Sequence, residues 1–134
     1  MVNNFISVNP KGFLNFGDYV QTEKQKVDDF ELNGDLYKLR THNVITRLEK
    51  NGSLLFEAVP GVKVEGLNVT ERLVEFTACG FDDTKMTIEL EPETEYKIII
   101  AGDDIGITKS TLSGKISFSA ELEDVCKMFR VEKV

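Results

Sequence analysis

Apolar and polar side chains alternate along Lys115–Leu122 (KISFSAEL), placing Ile116, Phe118, Ala120 and Leu122 on one side. Lys115, Ser117, Ser119 and Glu121 fall on the other. Successive strand side chains point to opposite faces, so this period of two predicts a half-buried antiparallel strand. The same pattern recurs in Met86–Leu90 (MTIEL), in Tyr96–Ile100 (YKIII) and, less regularly, in Lys127–Val134 (KMFRVEKV). Ile98, Ile100, Ile116, Phe118 and Leu122 are the expected core residues.

Turn signals separate these runs. Asn51-Gly52 lies between VITRLEK and SLLFEAV, and Asn33-Gly34 between KVDDFEL and DLYKLRT. Asn-Gly adopts the positive φ angles of a tight hairpin turn, so both read as hairpins. Gly102-Asp103-Asp104 and Ser113-Gly114 mark two further turns, and Pro60-Gly61 and Asp82-Asp83 two further breaks. About eight or nine short strands at this spacing predict an all-β fold, an antiparallel β-sandwich of immunoglobulin-like or related type. Helical signals are sparse. Asn68–Phe76 (NVTERLVEF) fits either a capped turn or two of helix or a strand, and Leu122–Cys126 fits a tight turn.

The segment Tyr96–Leu122 (YKIIIAGDDIGITKSTLSGKISFSAEL) resembles the closing hairpins of bacterial immunoglobulin-like and related β-sandwich modules. In those, a strand ending Y-x-V-x-V, a Gly-Asp turn and a G-x-hydrophobic-S-F strand recur. The resemblance implies a sandwich fold and an accessory, ligand-binding or surface role, with no catalytic or binding residue to carry over. Residues 26–61 (KVDDFELNGDLYKLRTHNVITRLEKNGSLLFEAVPG) look like a segment of small bacterial proteins without assigned function.

With 134 residues the chain is read as one domain, residues 1–134. Its net charge of -7 is unevenly spread: residues 1–50 balance seven basic against seven acidic side chains, while residues 51–134 carry nine against sixteen. Such a chain repels phosphate backbones and anionic lipid, so neither nucleic acid nor a membrane surface is an expected partner. The N-terminus (MVNNFISVNPKGFLNF) lacks a basic region followed by an apolar one, so the expected location is cytoplasmic. Cys79 and Cys126 have no CxxC spacing, and two reduced buried thiols are expected, with a disulfide only on export. The Asn51-Gly-Ser and Asn68-Val-Thr sequons carry weight only on a secretory route.

No catalytic set stands out. His42 is the single histidine, and no serine lies in a G-x-S-x-G turn, so an enzyme is not expected. No phosphate-binding glycine loop is present, and no cofactor is expected. Aspartate pairs in turns are calcium candidates, namely Asp82-Asp83 and Asp103-Asp104, because converging carboxylates and carbonyls supply the six to eight oxygens calcium takes. Phe13, Phe16 and Tyr19, close to Phe5, form an aromatic segment that reads as a docking or ligand surface, or as ordinary core strands. The functional expectation is a non-catalytic interaction protein acting by self-association or protein docking. The alternative is a module that binds carbohydrate or another small ligand.

Overall fold

The computed structural model describes residues 5–134. The chain folds as an antiparallel β-sandwich of thirteen strands, with no helix among the described residues. In chain order these are β1 (Ile6–Val8), β2 (Leu14–Phe16), β3 (Gln25–Leu32), β4 (Asp35–Thr41), β5 (Thr46–Lys50) and β6 (Ser53–Val59). They continue as β7 (Lys63–Val69), β8 (Leu73–Gly80), β9 (Thr84–Glu89), β10 (Glu95–Ile100), β11 (Asp103–Lys109), β12 (Lys115–Ala120) and β13 (Val125–Lys133). One sheet has the order β1-β2-β7-β8-β13-β10-β11, the other β12-β9-β6-β5-β4-β3.

Turn chemistry accounts for much of this order. Asn51 and Gly52 have φ of 51° and 84°, and Asn33 and Gly34 have 52° and 84°. These values suit the tight turns that join β5 to β6 and β3 to β4, as the Asn-Gly pairs predict. The β10–β11 turn falls one residue earlier than expected. Ala101 and Gly102 take the positive φ angles, and Asp103 already pairs with Ile100. The stretch Asn68–Phe76 is a hairpin, not a helix, with Thr70 Oγ1 accepting from the Leu73 backbone N–H (3.1 Å) at its tip.

Strand alternation matches burial closely in β12, where exposed and buried residues alternate without a break. Ile98, Ile116, Phe118 and Leu122 are buried. Ile100 is only half-buried and packs on the rim of the core. A row of rings runs through the core between the sheets. Phe16 meets Phe56 edge-on (5.4 Å), Phe56 meets Phe76 edge-on (5.5 Å), and Phe76 stacks on Phe129 (5.1 Å). Phe118 closes the row against Phe129 (6.1 Å). Aromatic pairs in these geometries add to the area they bury.

Three expectations need correction. The strand count exceeds nine, partly because the N-terminal segment contributes two three-residue strands, β1 and β2, which pair with each other, β2 also pairing with β7. The cysteines are not free thiols, because Cys79 and Cys126 form a disulfide. Phe16 is not at the surface: it is 2% exposed, at the start of the ring row.

The chain passes between the sheets six times, and four of those passages share one end. These are residues 17–24, 60–62, 81–83 and 121–124, joined there by the β4–β5 turn at 42–45. This crowded end is the loop end of the sandwich.

Candidate functional site

Three surface features bring functional side chains together: a cleft at the loop end, a mouth between the sheets at the opposite end, and the free edge at β11.

The loop-end cleft has a volume of about 430 Å³ and is lined by Tyr19, Val20, Thr22, Asn43, Pro60, Gly61, Phe81 and Asp82. Tyr19 and Phe81 meet edge-to-face, centroids 4.7 Å apart with planes at 88°. Phe81 is 51% exposed, although burial is the usual fate of a ring this size. Burial, and then the carboxylates of Asp124 and Asp18, push the Tyr19 hydroxyl above the ordinary tyrosine range.

A buried hydroxyl relay holds these loops in place. The Asp18 backbone N–H donates to Thr41 Oγ1 (2.9 Å), and Thr41 Oγ1 lies 2.8 Å from Thr46 Oγ1. Thr46 Oγ1 donates to the Val62 carbonyl (2.9 Å) and accepts from the Val62 N–H (3.1 Å). A hydroxyl has one proton, so when Thr46 donates to Val62 the shared bond runs from Thr41, whose Oγ1 also lies 3.5 Å from the Asp18 carbonyl. Thr84 Oγ1 donates to the Pro60 carbonyl (2.8 Å), which ties β9 to the same loop. Both Thr41 and Thr46 are fully buried, and every buried side-chain polar atom among the described residues has a partner. Asp18 also caps its own loop, accepting from the Val20 N–H (3.0 Å) and from Gln21 Nε2 (3.0 Å). Gly61 sits hard against the His42 carbonyl, where a Cβ would collide with backbone.

At the other end, the space between the sheets opens into two adjoining clefts of about 350 and 370 Å³ that share Lys50, Leu55 and Val69. Phe13 is half-buried and lines this mouth with Leu14, Leu32 and Tyr37. Burial, followed by the Asp35 carboxylate, raises the Tyr37 hydroxyl above its ordinary range. Phe13 and Tyr19 therefore stand at opposite ends of the sandwich and do not form one platform, and Phe16 lies in the core between them.

β11 forms one edge of the seven-stranded sheet, and all seven of its residues are exposed. They include Ile105 and Ile107, at 52% and 57% exposure. Asp104 accepts from the Gly106 N–H (2.9 Å), and Lys97 Nζ lies 3.4 Å from its other oxygen. Asp103 and Asp104 belong to this edge, whereas Asp82 and Asp83 belong to the β8–β9 loop. Among the described residues no group of three or more His, Cys, Asp or Glu is placed to hold a metal ion. His42 lies in the β4–β5 turn with its backbone N–H on the Ile45 carbonyl (3.0 Å), and both cysteines are committed to their bridge.

Sequence reasoning picked out Tyr19 and Asp82 separately but missed Phe81 and Asn43. Phe81 follows the Cys79-Gly80 strand end and precedes two aspartates, a polar setting for a large ring. That was the available signal. Its contact with Tyr19 spans more than sixty residues of chain and arises only from folding.

No family model matches the chain, and no curated protein or solved structure matches it. No helix among the described residues is long and apolar enough to cross a membrane. The class of protein is set by the fold alone: a two-sheet antiparallel β-sandwich with an aromatic, acidic cleft at its loop end.

Proposed function

We propose that this is a non-catalytic interaction protein that associates with a second copy of itself through the free edge of β11. The observation that carries this reading is the exposure of the whole strand, with two isoleucines on it. An edge strand presents unpaired N–H and C=O groups, and main-chain pairing with another strand satisfies them. The remaining edges are less suited. β1 has three residues, β12 turns Lys115, Ser117 and Ser119 outward, and the bulge of β3 carries two adjacent carboxylates, Asp28 and Asp29.

The β11 sequence is also self-complementary. A bulge beside Ile105 counts as one extra residue, so Asp104, Ile107 and Lys109 share the outer face. An antiparallel copy with Ile107 opposite Ile107 sets each Asp104 against the Lys109 of its neighbour. Such pairing has the two-fold symmetry of an isologous dimer. Seven residues of edge bury less than the roughly 800 Å² per partner of a standard interface, so association is expected at micromolar concentrations and above. The Cys79–Cys126 bridge supports action in an oxidising compartment, in place of the cytoplasm expected from the N-terminal residues.

Sedimentation equilibrium across a concentration series tests the proposal. The wild type should pass from monomer to dimer, and Ile107→Lys, which sets two like charges at the symmetry centre, should stay monomeric. A wild type that remains monomeric at high micromolar concentration overturns it, as does a dimer that Ile107→Lys leaves intact.

A further inference from the structure

We infer that the loop-end cleft binds an organic cation, an alkylammonium or guanidinium headgroup, against the Tyr19–Phe81 ring pair with Asp82 as counter-charge. This site is separate from the β11 edge and does not depend on self-association.

Ring geometry comes first. In an edge-to-face pair each ring keeps at least one face clear of its partner, whichever of Tyr19 and Phe81 is edge-on. A ring face carries the negative part of the aromatic quadrupole and attracts cations. Phe81 is held half-exposed at the cleft wall, where a ligand can reach it.

Charge selects among ligands that could lie on a ring. Asp82 lines the cleft, and among the described residues no lysine or arginine lines it. Asp124 and Asp18 add negative charge beside the Tyr19 ring. An anion is repelled there. A neutral sugar can stack and donate hydroxyl hydrogen bonds to a carboxylate, but only a cation adds charge attraction to both the ring faces and Asp82. Asn43 and Thr22 supply further polar groups on the rim.

The cleft is also preformed. Its loops are fixed from below by the Thr41–Thr46–Val62 relay and by Thr84 on Pro60. A fixed site loses less freedom on binding. At about 430 Å³ the cleft falls within the roughly 300–1,000 Å³ span of small-molecule sites.

Choline and dimethylbutanol, its uncharged carbon isostere, provide the test, titrated into the isotope-labelled full chain and followed by heteronuclear NMR. Choline should give saturable shifts at Val20, Asn43, Gly61 and Asp82, with a dissociation constant on the order of a millimolar. Dimethylbutanol should bind about tenfold more weakly. Phe81→Ala and Asp82→Asn, both at exposed positions, should each weaken choline by about threefold to tenfold, Asp82→Asn with an unchanged melting temperature and Phe81→Ala with a fall of no more than about 5 °C from the lost ring pair. Ile107→Lys should leave choline binding unchanged. A glycyl-arginyl-glycine tripeptide that binds more tightly than choline would mark a peptide side chain as the source of the cation, and the reverse would mark a free amine. Equal binding of dimethylbutanol, unchanged choline binding in Phe81→Ala, or shifts that do not saturate would each overturn the inference.

Discussion

Cys79 and Cys126 stand directly opposite each other on neighbouring antiparallel strands, with their Cα atoms 4.1 Å apart and their sulfurs bonded. Phe76 and Ala78 face the core, so by the strand alternation Cys79 faces outward from the seven-stranded sheet. The bridge therefore clips β8 to β13 on the outer surface, beside the loop end. It secures the strands that lead into two of the four loop-end passages, Phe81–Asp83 and 121–124.

Reducing that bridge should cost stability without abolishing the fold, because the apolar core lies elsewhere. A closed loop spanning 47 residues corresponds to about 4 kcal/mol in the chain-entropy treatment, and delivered values run about 2–4. For a domain of this size the melting temperature should fall by about 10 °C when reductant is added. Calorimetry with and without reductant checks this, and thiol titration of the unfolded, unreduced protein should find no free thiol. An unchanged melting temperature would remove the structural role assigned to the bridge.

The hydroxyl of Thr46 should matter more than its methyl. Thr46→Val keeps the shape but leaves the Val62 N–H and carbonyl without their partner in a fully buried place. Unsatisfied buried groups cost about 1–3 kcal/mol each, so a loss of about 2–4 kcal/mol is expected. Thr46→Ser retains the hydroxyl and should lose about 1 kcal/mol or less. Urea denaturation of both variants separates the two contributions. Hydrogen exchange should quicken at Val62 in Thr46→Val and not in Thr46→Ser.

Adjacent residues of β13 offer a check on the sheet's orientation. Phe129 is fully buried, stacked on Phe76 and beside Phe118, whereas Met128 is 57% exposed. Phe129→Ala should cost about 3–5 kcal/mol through lost burial and the cavity left behind. Met128→Ala should stay within about 0.5 kcal/mol of wild type. Denaturation midpoints of the pair measure this directly, and comparable losses at both positions would mean that β13 is rotated from its described face.

How much of this was legible beforehand depended on whether the determining interaction was local. The β12 alternation and the Asn51-Gly52 and Asn33-Gly34 turns are properties of a few adjacent residues, and they read correctly. Cys79 and Cys126 gave no local sign of pairing, because only the β8–β13 register brings them opposite each other. Phe16 and Tyr19 look equivalent along the chain. They separate because β2 turns Phe16 inward, onto Phe56 from the other sheet, while Tyr19 lies beyond the strand end. β11 follows the turn expected at Gly102, but its exposure on both faces comes from its place at the sheet edge, which no run of seven residues encodes. The cleft is the least local feature of all, since it draws on four separate segments.

Alkaline pH should weaken the fold through two tyrosines. Tyr19 and Tyr37 both have hydroxyls raised above the ordinary value of 10.0, by burial first and by neighbouring aspartates second. The folded state thus holds these protons more tightly than the unfolded state does. Their contribution is complete below the unfolded value of 10.0 and is lost as pH rises through the higher folded values. Urea denaturation from about pH 8 to about pH 11 should show a plateau followed by a decline. In the Tyr19→Phe, Tyr37→Phe double variant the decline should be shallower, because phenylalanine has no proton to lose. Phenolate absorbance of the folded wild type should rise at higher pH than that of the same protein in urea. If the two absorbance curves coincide, the tyrosines are not held against ionisation and the alkaline weakening must come from other groups.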